Sequence, residues 1–321
     1  MIPSIIGVDV SKDTLDAHAR NAKQNRQFAN SAAGVAELVA WAKSHVPTRI
    51  IFESTGPYQK LAVGALLTEG LPAVVVNARQ VRDFAKGTGQ LAKTDAIDAS
   101  ILAHFGEVVA TTVKPLESKE IIEFREFHDR RGQLVTMLAI EKNHRHAAKH
   151  GGSAKVTKNI DAHIDYLQKR IAELETRMNK IVEGSKTFRE KDEILQSITG
   201  IGPQVSRTLL VHLPELGQRS RQSIAALVGL APFNDDSGQT RGTRHVCGGR
   251  SKVRVSLYQA AVAAVRHCPT MKAFYATLKA RGKASKVALI AVARKILVLA
   301  NALLRTMTPY ESRQKIANSV C

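Results

Sequence analysis

A heptad seam divides this chain. Ile160, Ile164, Leu167, Ile171, Leu174, Met178 and Ile181 step by 4 and 3 in alternation, the a/d spacing that lays one apolar stripe along a long helix. Charged residues such as Lys169, Arg170, Glu173, Glu175 and Arg177 stand between them. About 24 residues at ~1.5 Å each make a rod of roughly 36 Å. The expectation is a coiled-coil spacer that also pairs protomers; a helix packed inside its own domain is the alternative. Either way the rod stands between an N-terminal and a C-terminal part of the chain.

Residues 1–113 read as α/β. Ile5–Val10 is a short apolar run, Thr14–Arg20 alternates, and Gln24–Ala29 would close an antiparallel meander. A helix is predicted from Ser31, a buried strand over Arg49–Glu53, a helix opened by Pro57, and a β-branched strand over Pro72–Asn77. Helical sequence continues through Arg79–Lys86 and Thr94–His104. Three strands, helix, strand, helix, strand, helix is the order of an RNase H-like fold. Residues 114–190 form the helical, coiled-coil linker, its first part over 116–150 strongly charged. Residues 191–321 read as mainly α, apart from a Gly- and charge-rich loop, Ala231–Gly249.

Charge narrows the partner. Lys and Arg number 47 against 28 Asp and Glu, a formal net charge of +19, and such a field attracts polyanions. Between Ser237 and Tyr310 there is no acidic residue, while Arg241, Arg244, Arg250, Lys252 and Arg254 open a basic run that continues to Arg305. A few of these would be a solvated face; a run this long reads as a phosphate-binding surface. Aromatic residues are only 5%, which argues against base stacking as the main binding mode. No P-loop is present, so no ATP is expected. Cys247, Cys268 and Cys321 form no CxxC pair, as in a reducing compartment. The N-terminus lacks a signal-peptide pattern, and Ile296–Leu299 is too short a run to span a bilayer. A soluble, cytoplasmic protein with no membrane partner is expected.

Four acids stand out against this basic background. Asp9 ends the first strand and Glu53 the central one, while Asp95 and Asp98 lie three apart on one helix. Strand ends place side chains at the rim of an open α/β sheet, where ligands gather. Clustered carboxylates need a compensating cation, and Mg²⁺ suits oxygen ligands with water and phosphate. Two such ions about 3.5–4 Å apart could stabilise the attacking and leaving oxygens of a phosphodiester exchange. Singly, each acid could be a cap or a surface charge, as Asp95 after Thr94 shows.

These residues resemble the IS-one-ten family of insertion-sequence transposases, also called bridge-RNA-guided recombinases. The likeness runs through Gly7-Val8-Asp9, Glu53-Ser54-Thr55-Gly56-Pro57-Tyr58 and Lys93-Thr94-Asp95-Ala96-Ile97-Asp98-Ala99. It continues with Ile198-Thr199-Gly200-Ile201-Gly202-Pro203, Gly229-Leu230-Ala231-Pro232, and Asp236-Ser237-Gly238 ahead of Arg241-Gly242. The resemblance implies that Asp9, Glu53, Asp95 and Asp98 are the metal ligands of a RuvC-like DEDD domain. It implies that Ser237 is the nucleophile of a C-terminal transposase domain, joining DNA through a phosphoserine intermediate. It also implies a structured non-coding guide RNA that selects donor and target DNA. One departure is Arg254, near a position where the family often has glycine.

On its own, Asp236-Ser237-Gly238 is ordinary turn chemistry, and a serine hydroxyl needs activation before it attacks. Arg241, Arg244 and Arg250 could hold and polarise a scissile phosphate. If the heptad rod keeps Ser237 far from the acids of its own chain, a composite site in a homodimer or tetramer is expected. Gly200-Ile201-Gly202 reads either as a helix-hairpin-helix turn whose N–H groups hold a phosphate or as a tight turn between packed helices. His144, His146 and His150 match no zinc spacing and read as a basic nucleic-acid-facing helix; His245 and Cys247 are a poorer ligand pair still. The alternative function is a RuvC-like, Mg-dependent DNA junction endonuclease without a covalent intermediate. A non-catalytic nucleic-acid scaffold is the third reading.

Overall fold

The computed structural model describes residues 4–54, 56–90, 95–109, 111–113, 118–233, 236–237, 240–242 and 245–310, with backbone alone at 95–97, 236–237 and 240–241. Contacts divide the chain into two compact units, Met1–Glu117 and Ser118–Cys321.

In the first unit, β1 (Ile5–Val10), β2 (Thr14–Ala19) and β3 (Gln24–Ala29) form an antiparallel meander. Helix α1 (Ala32–Ser44) comes next, its first turn capped by Ser31, whose Oγ accepts from the Gly34 N–H. Strand β4 (Arg49–Glu53), helix α2 (Lys60–Thr68), strand β5 (Ala73–Val76), helix α3 (Ala78–Gly87) and helix α4 (Asp95–Val108) complete it. The sheet order is β3-β2-β1-β4-β5, with β1, β4 and β5 parallel. This is a mixed sheet with the strand and helix order predicted from the periodicities.

The parallel strands are apolar on both faces because helices cover both. Ile6, Val8, Ile50 and Phe52 pack with Leu38, Trp41 and Leu66 of α1 and α2. Ile5, Ile51, Val74 and Val76 pack with Val81 of α3 and Leu102 and Phe105 of α4. Helix α4 lies close on β1: a Cβ at Gly7 would collide with the Ala99 carbonyl oxygen and come within 2.5 Å of the Ala103 nitrogen. Further along α4, a Cβ at Gly106 would crowd Ile51 and sit 3.1 Å from Ile5 Cγ2. Arg49 Nη1 donates to the Gly106 carbonyl at 3.0 Å, pinning that end.

The second unit opens with two long helices, α5 (Lys119–Lys149) and α6 (Ala154–Gly184), which pack against each other. Arg145–Asp161 at 2.7 Å, His163–Glu141 at 3.2 Å and Arg131–Glu175 at 2.7 Å pair rising numbers on α5 with falling numbers on α6. The two helices are therefore an antiparallel hairpin. Here the expected packing is corrected. Leu167 and Ile171 of the seam bury against Leu134 with Leu138 beside them, and Met178 with Val182 buries against Phe124. Leu167, Ile171 and Met178 of the seam are thus covered by α5 of the same chain, while Ile160, Leu174 and Ile181 are partly exposed. The hairpin falls in the same compact unit as the six helices C-terminal to it.

Those are α7 (Lys186–Gln196), α8 (Pro203–His212), α9 (Arg221–Val228), α10 (Ser251–His267), α11 (Pro269–Ala280) and α12 (Ser285–Thr306). Their shared core includes Leu195, Leu209, Ile224, Leu257, Ile296 and Leu297. The Ile296–Leu299 run belongs to α12, which at 22 residues is long and apolar enough to cross a membrane. Its Ala288, Val292, Ile296, Ala300 and Leu303 face is fully buried in this core, which accounts for its apolarity. Between α9 and α10 the segment predicted as loop carries two short antiparallel ladders. They pair β6 (Pro232–Phe233) with β9 (His245–Val246), and β7 (Asp236–Ser237) with β8 (Thr240–Arg241).

Candidate functional site

Strand phase decides where the first two acids stand. Side chains alternate across a strand, and Ile5 and Gly7 of β1 face α4; Asp9 is in phase with them. On β4, Ile51 faces the same helix layer and Glu53 is in phase with it. The parallel register pairs Val8 with Phe52, so one step further on Asp9 and Glu53 stand side by side at the carboxyl ends of neighbouring strands. Asp16 is directly opposite Asp9 on β2, which places a further carboxylate in that row. Asp16 Oδ1 accepts from Gln27 Nε2 at 2.8 Å.

Helix α4 brings the other two acids to that end. Gly106 lies over Ile5 and Ile51, and Ala99 lies over Gly7. Moving back towards the helix start therefore advances towards Asp9. Asp98 precedes Ala99, and Asp95 opens the helix one turn earlier. Asp9, Glu53 and Asp98 are half-buried to partly exposed; the Asp95 side chain lies outside the described residues. All donors here are hard oxygens at a sheet rim, a set that fits Mg²⁺ rather than a softer metal.

Ser237 belongs to the second unit. The β7–β8 register pairs Asp236 with Arg241 and Ser237 with Thr240, leaving two residues, Gly238 and Gln239, to connect the strands. Ser237 is thus at the end of a β-ribbon, and its side chain lies outside the described residues, as does that of Arg241. Arg244 lies outside them altogether. The base of the ribbon is closed by glycines: a Cβ on Gly229 (φ 77°) would strike the Gly248 carbonyl, and one on Gly249 (φ 72°) would strike the Gly229 nitrogen. Only residues without a side chain fit there. Arg254, on the second turn of α10, donates to the Gly248 carbonyl. The departure from the family pattern thus lies in a helix and props the ribbon's base.

Arg250 and Lys252 have protein partners. Arg250 makes a fork on Glu215, Nη1–Oε2 2.6 Å and Nη2–Oε1 2.7 Å, and Nη1 also donates to the His212 carbonyl at 2.9 Å. Lys252 Nζ donates to Asp129 Oδ1 at 2.9 Å. Gly200 (φ 101°) packs on α10, where a Cβ would meet the Ala260 carbonyl at 2.5 Å, so close helix packing explains this glycine. Gly202 is the N-cap residue of α8, with Pro203 at the first turn. His144 lies 3.7 Å from Glu141, and His146 and His150 have ring centroids 4.8 Å apart. His245 and Cys247 are exposed.

One cluster was not expected from the sequence. His128 and Asp129 of α5 meet His212, the last residue of α8: His212 Nε2 is 3.1 Å from Asp129 Oδ1 and 3.3 Å from His128 Nδ1. Burial, with His212 beside it, holds His128 down at about 4, and burial also lowers His212. Asp129 is raised by burial, but the Lys252 hydrogen bond and His212 outweigh this and hold it below the usual carboxylate value. Only the adjacent pair His128-Asp129 hints at this cluster in the sequence; His212 is 84 residues away.

Comparison with known proteins gives two family matches and full-length relatives. Residues 6–148 match a family described as Transposase, and residues 192–276 match the Transposase IS116/IS110/IS902 family. The chain is 28% identical to the pilin gene-inverting proteins of Moraxella bovis and Moraxella lacunata, over 98% of its own length and 99% of theirs. It is 29% identical to an uncharacterized protein of insertion element IS110 from Streptomyces coelicolor, over 44% of this chain and 34% of that one.

Proposed function

We propose that the chain is a member of the IS110 family of transposases and that it exchanges DNA strands with two chemical centres, one on each compact unit. It is a DNA recombinase enzyme. The first centre is Asp9, Glu53, Asp95 and Asp98 in an RNase H-like, RuvC-like unit. The observation that carries this reading is the row of Asp9 and Glu53 beneath the start of α4. These acids would hold Mg²⁺, which supplies charge stabilisation at a scissile phosphate. The second centre is Ser237. Its Oγ forms a phosphoester bond with one DNA end as a DNA P–O bond breaks, and the released DNA oxygen takes up a proton. Reversal onto a new end completes the exchange.

Pilin gene inversion is the activity in the relatives' names, and inverting a DNA segment requires exchange of its strands. A structured guide RNA selects the ends, a role to which the +19 charge is suited. The enzyme works in the cytoplasm as a dimer or tetramer, the acids of one protomer serving the serine of another.

The test is a DNA substrate carrying the element's ends, incubated with full-length protein, its co-purified RNA and Mg²⁺. A protein–DNA adduct that survives denaturation is expected, lost in Ser237→Ala and in Asp9→Ala. Mixing the two variants should restore exchange if the sites are composite. Nicked junctions without any adduct would favour a RuvC-like junction endonuclease in its place. Sequencing the RNA that accompanies protein purified from cells with the flanking DNA tests the guide.

A further inference from the structure

The strand-exchange reading makes no use of His128, Asp129 and His212. Their three potential ligand atoms form a triangle: His212 Nε2–Asp129 Oδ1 3.1 Å, His212 Nε2–His128 Nδ1 3.3 Å, and His128 Nδ1–Asp129 Oδ1 3.8 Å. Bonds of about 2.0–2.1 Å to a tetrahedral zinc ion place neighbouring ligand atoms roughly 3.3–3.4 Å apart. The triangle matches one face of that tetrahedron. Both rings are shielded, their side chains 14% and 13% exposed, and Asp129 is 35% exposed; the acid is where the fourth position would open.

The proton arrangement on His128 also favours a ligand. Thr208 Oγ1 donates to the Gln204 carbonyl at 2.8 Å, so towards His128 Nε2, 3.1 Å away, it presents a lone pair. In that arrangement His128 carries its proton on Nε2, which leaves Nδ1 bare and directed at His212. A hydroxyl or carbonyl that fixes the far nitrogen of a ligating imidazole is the usual outer support of a zinc site. Of the nearby cations, Arg131 is paired with Glu175 at 2.7 Å. Lys252 is different, because its ammonium sits 2.9 Å from Asp129 Oδ1, the same oxygen that completes the triangle.

We propose that His128, Asp129 and His212 bind one zinc-type divalent ion, and that this ion competes with the Lys252 ammonium for Asp129. Two histidines and one carboxylate, with a fourth position open to water, suit a borderline ion and leave Mg²⁺ poorly served. Filling the site releases Lys252 in the first turn of α10, two residues after Arg250. The metal thus sets the charge at the base of the ribbon that carries Ser237.

The experiment is calorimetric titration of metal-stripped full-length protein with Zn²⁺, in buffer holding excess Mg²⁺ to occupy the oxygen-ligand site. One ion per chain is expected at this cluster. His128→Gln and His212→Gln should each weaken binding at least about tenfold, and Thr208→Val by roughly 10–100-fold through loss of the outer support. Lys252→Met, which keeps every ligand, should bind Zn²⁺ more tightly by about tenfold or more, converting release of a competing charge into affinity. Circular dichroism melts check that the glutamine variants fold. Absence of saturable binding overturns the proposal, as does binding that survives both glutamine variants but is lost in Cys247→Ser. Unchanged affinity in Lys252→Met overturns the competition. None of these outcomes depends on whether the chain exchanges DNA strands, so they stand apart from that reading.

Discussion

Replacing Gly7 by alanine should move α4 and disable the acid row without touching any acid. The new Cβ would collide with the Ala99 carbonyl and sit 2.5 Å from the Ala103 nitrogen and 2.9 Å from Leu102 Cβ. Comfortable carbon contacts begin at about 3.5 Å, so α4 must retreat by roughly 1 Å. Backbone atoms of a helix cannot swing aside as a long side chain does, and overpacking of this kind costs about 1–3 kcal/mol. Asp95 and Asp98 ride on the displaced helix, whereas Asp9 and Glu53 stay with the sheet. A misplacement of that size lowers catalytic rates by about 100-fold. The measurements are urea unfolding of the full chain and the strand-exchange assay proposed above, run with Mg²⁺. Gly64→Ala in α2 is the matched control: its Cβ meets nothing within 4 Å, and in a helix interior the change should be neutral or stabilising by about 0.5–1 kcal/mol. If Gly7→Ala unfolds and reacts as wild type does, α4 does not set the position of Asp98 against Asp9, and the acid site loses its geometric basis.

The fall of His128 from 6.5 to about 4 makes stability pH-dependent. The unfolded chain takes up the proton first as pH drops, so this contribution is complete above about 6.5 and lost on descending to about 4. At ~1.36 kcal/mol per pH unit it amounts to roughly 3 kcal/mol; a urea midpoint that falls no faster over that window in wild type than in His128→Gln would contradict it. Arg250→Ala should destabilise the second unit by about 2–3 kcal/mol, because Glu215, 14% exposed, is left without its fork. The Arg250→Ala/Glu215→Ala pair should recover part of that loss in the same unfolding assay, an outcome foreign to a residue that served phosphate alone. Gly200→Ala forces a side chain to φ 101° and into the α10 backbone, so a cost of at least about 2 kcal/mol is expected by thermal or chemical unfolding.

Much of the first unit was legible because its signals are local. Period-two alternation marks β1 and β2, apolar runs mark β4 and β5, and Ser31 announces α1. Asp9 and Glu53 could be placed at strand ends in prospect, since strand ends are properties of short segments, but their standing side by side rests on the parallel register of β1 with β4. The heptad seam shows the limit. A period reveals that Leu167 and Ile171 need an apolar cover, but Leu134 is equally apolar whether it comes from the same chain or another. The partners of two residues in the basic run were hidden for a related reason. Its acid-free stretch begins after Ser237, yet Glu215 and Asp129, which engage Arg250 and Lys252, lie well upstream of it. The His128–Asp129–His212 cluster joins positions 84 residues apart, and no spacing rule reaches that far.

The glycine clasp at Gly229 and Gly249 has a consequence for how such proteins diversify. Because the two ends of the ribbon meet backbone to backbone at Gly229, Gly248 and Gly249, with Arg254 bracing them, the stretch between them should tolerate a change of length or sequence while α9 and α10 keep their seats. A ribbon grafted from a relative should need only that pair of glycines and the Arg254 prop to be carried by the same body.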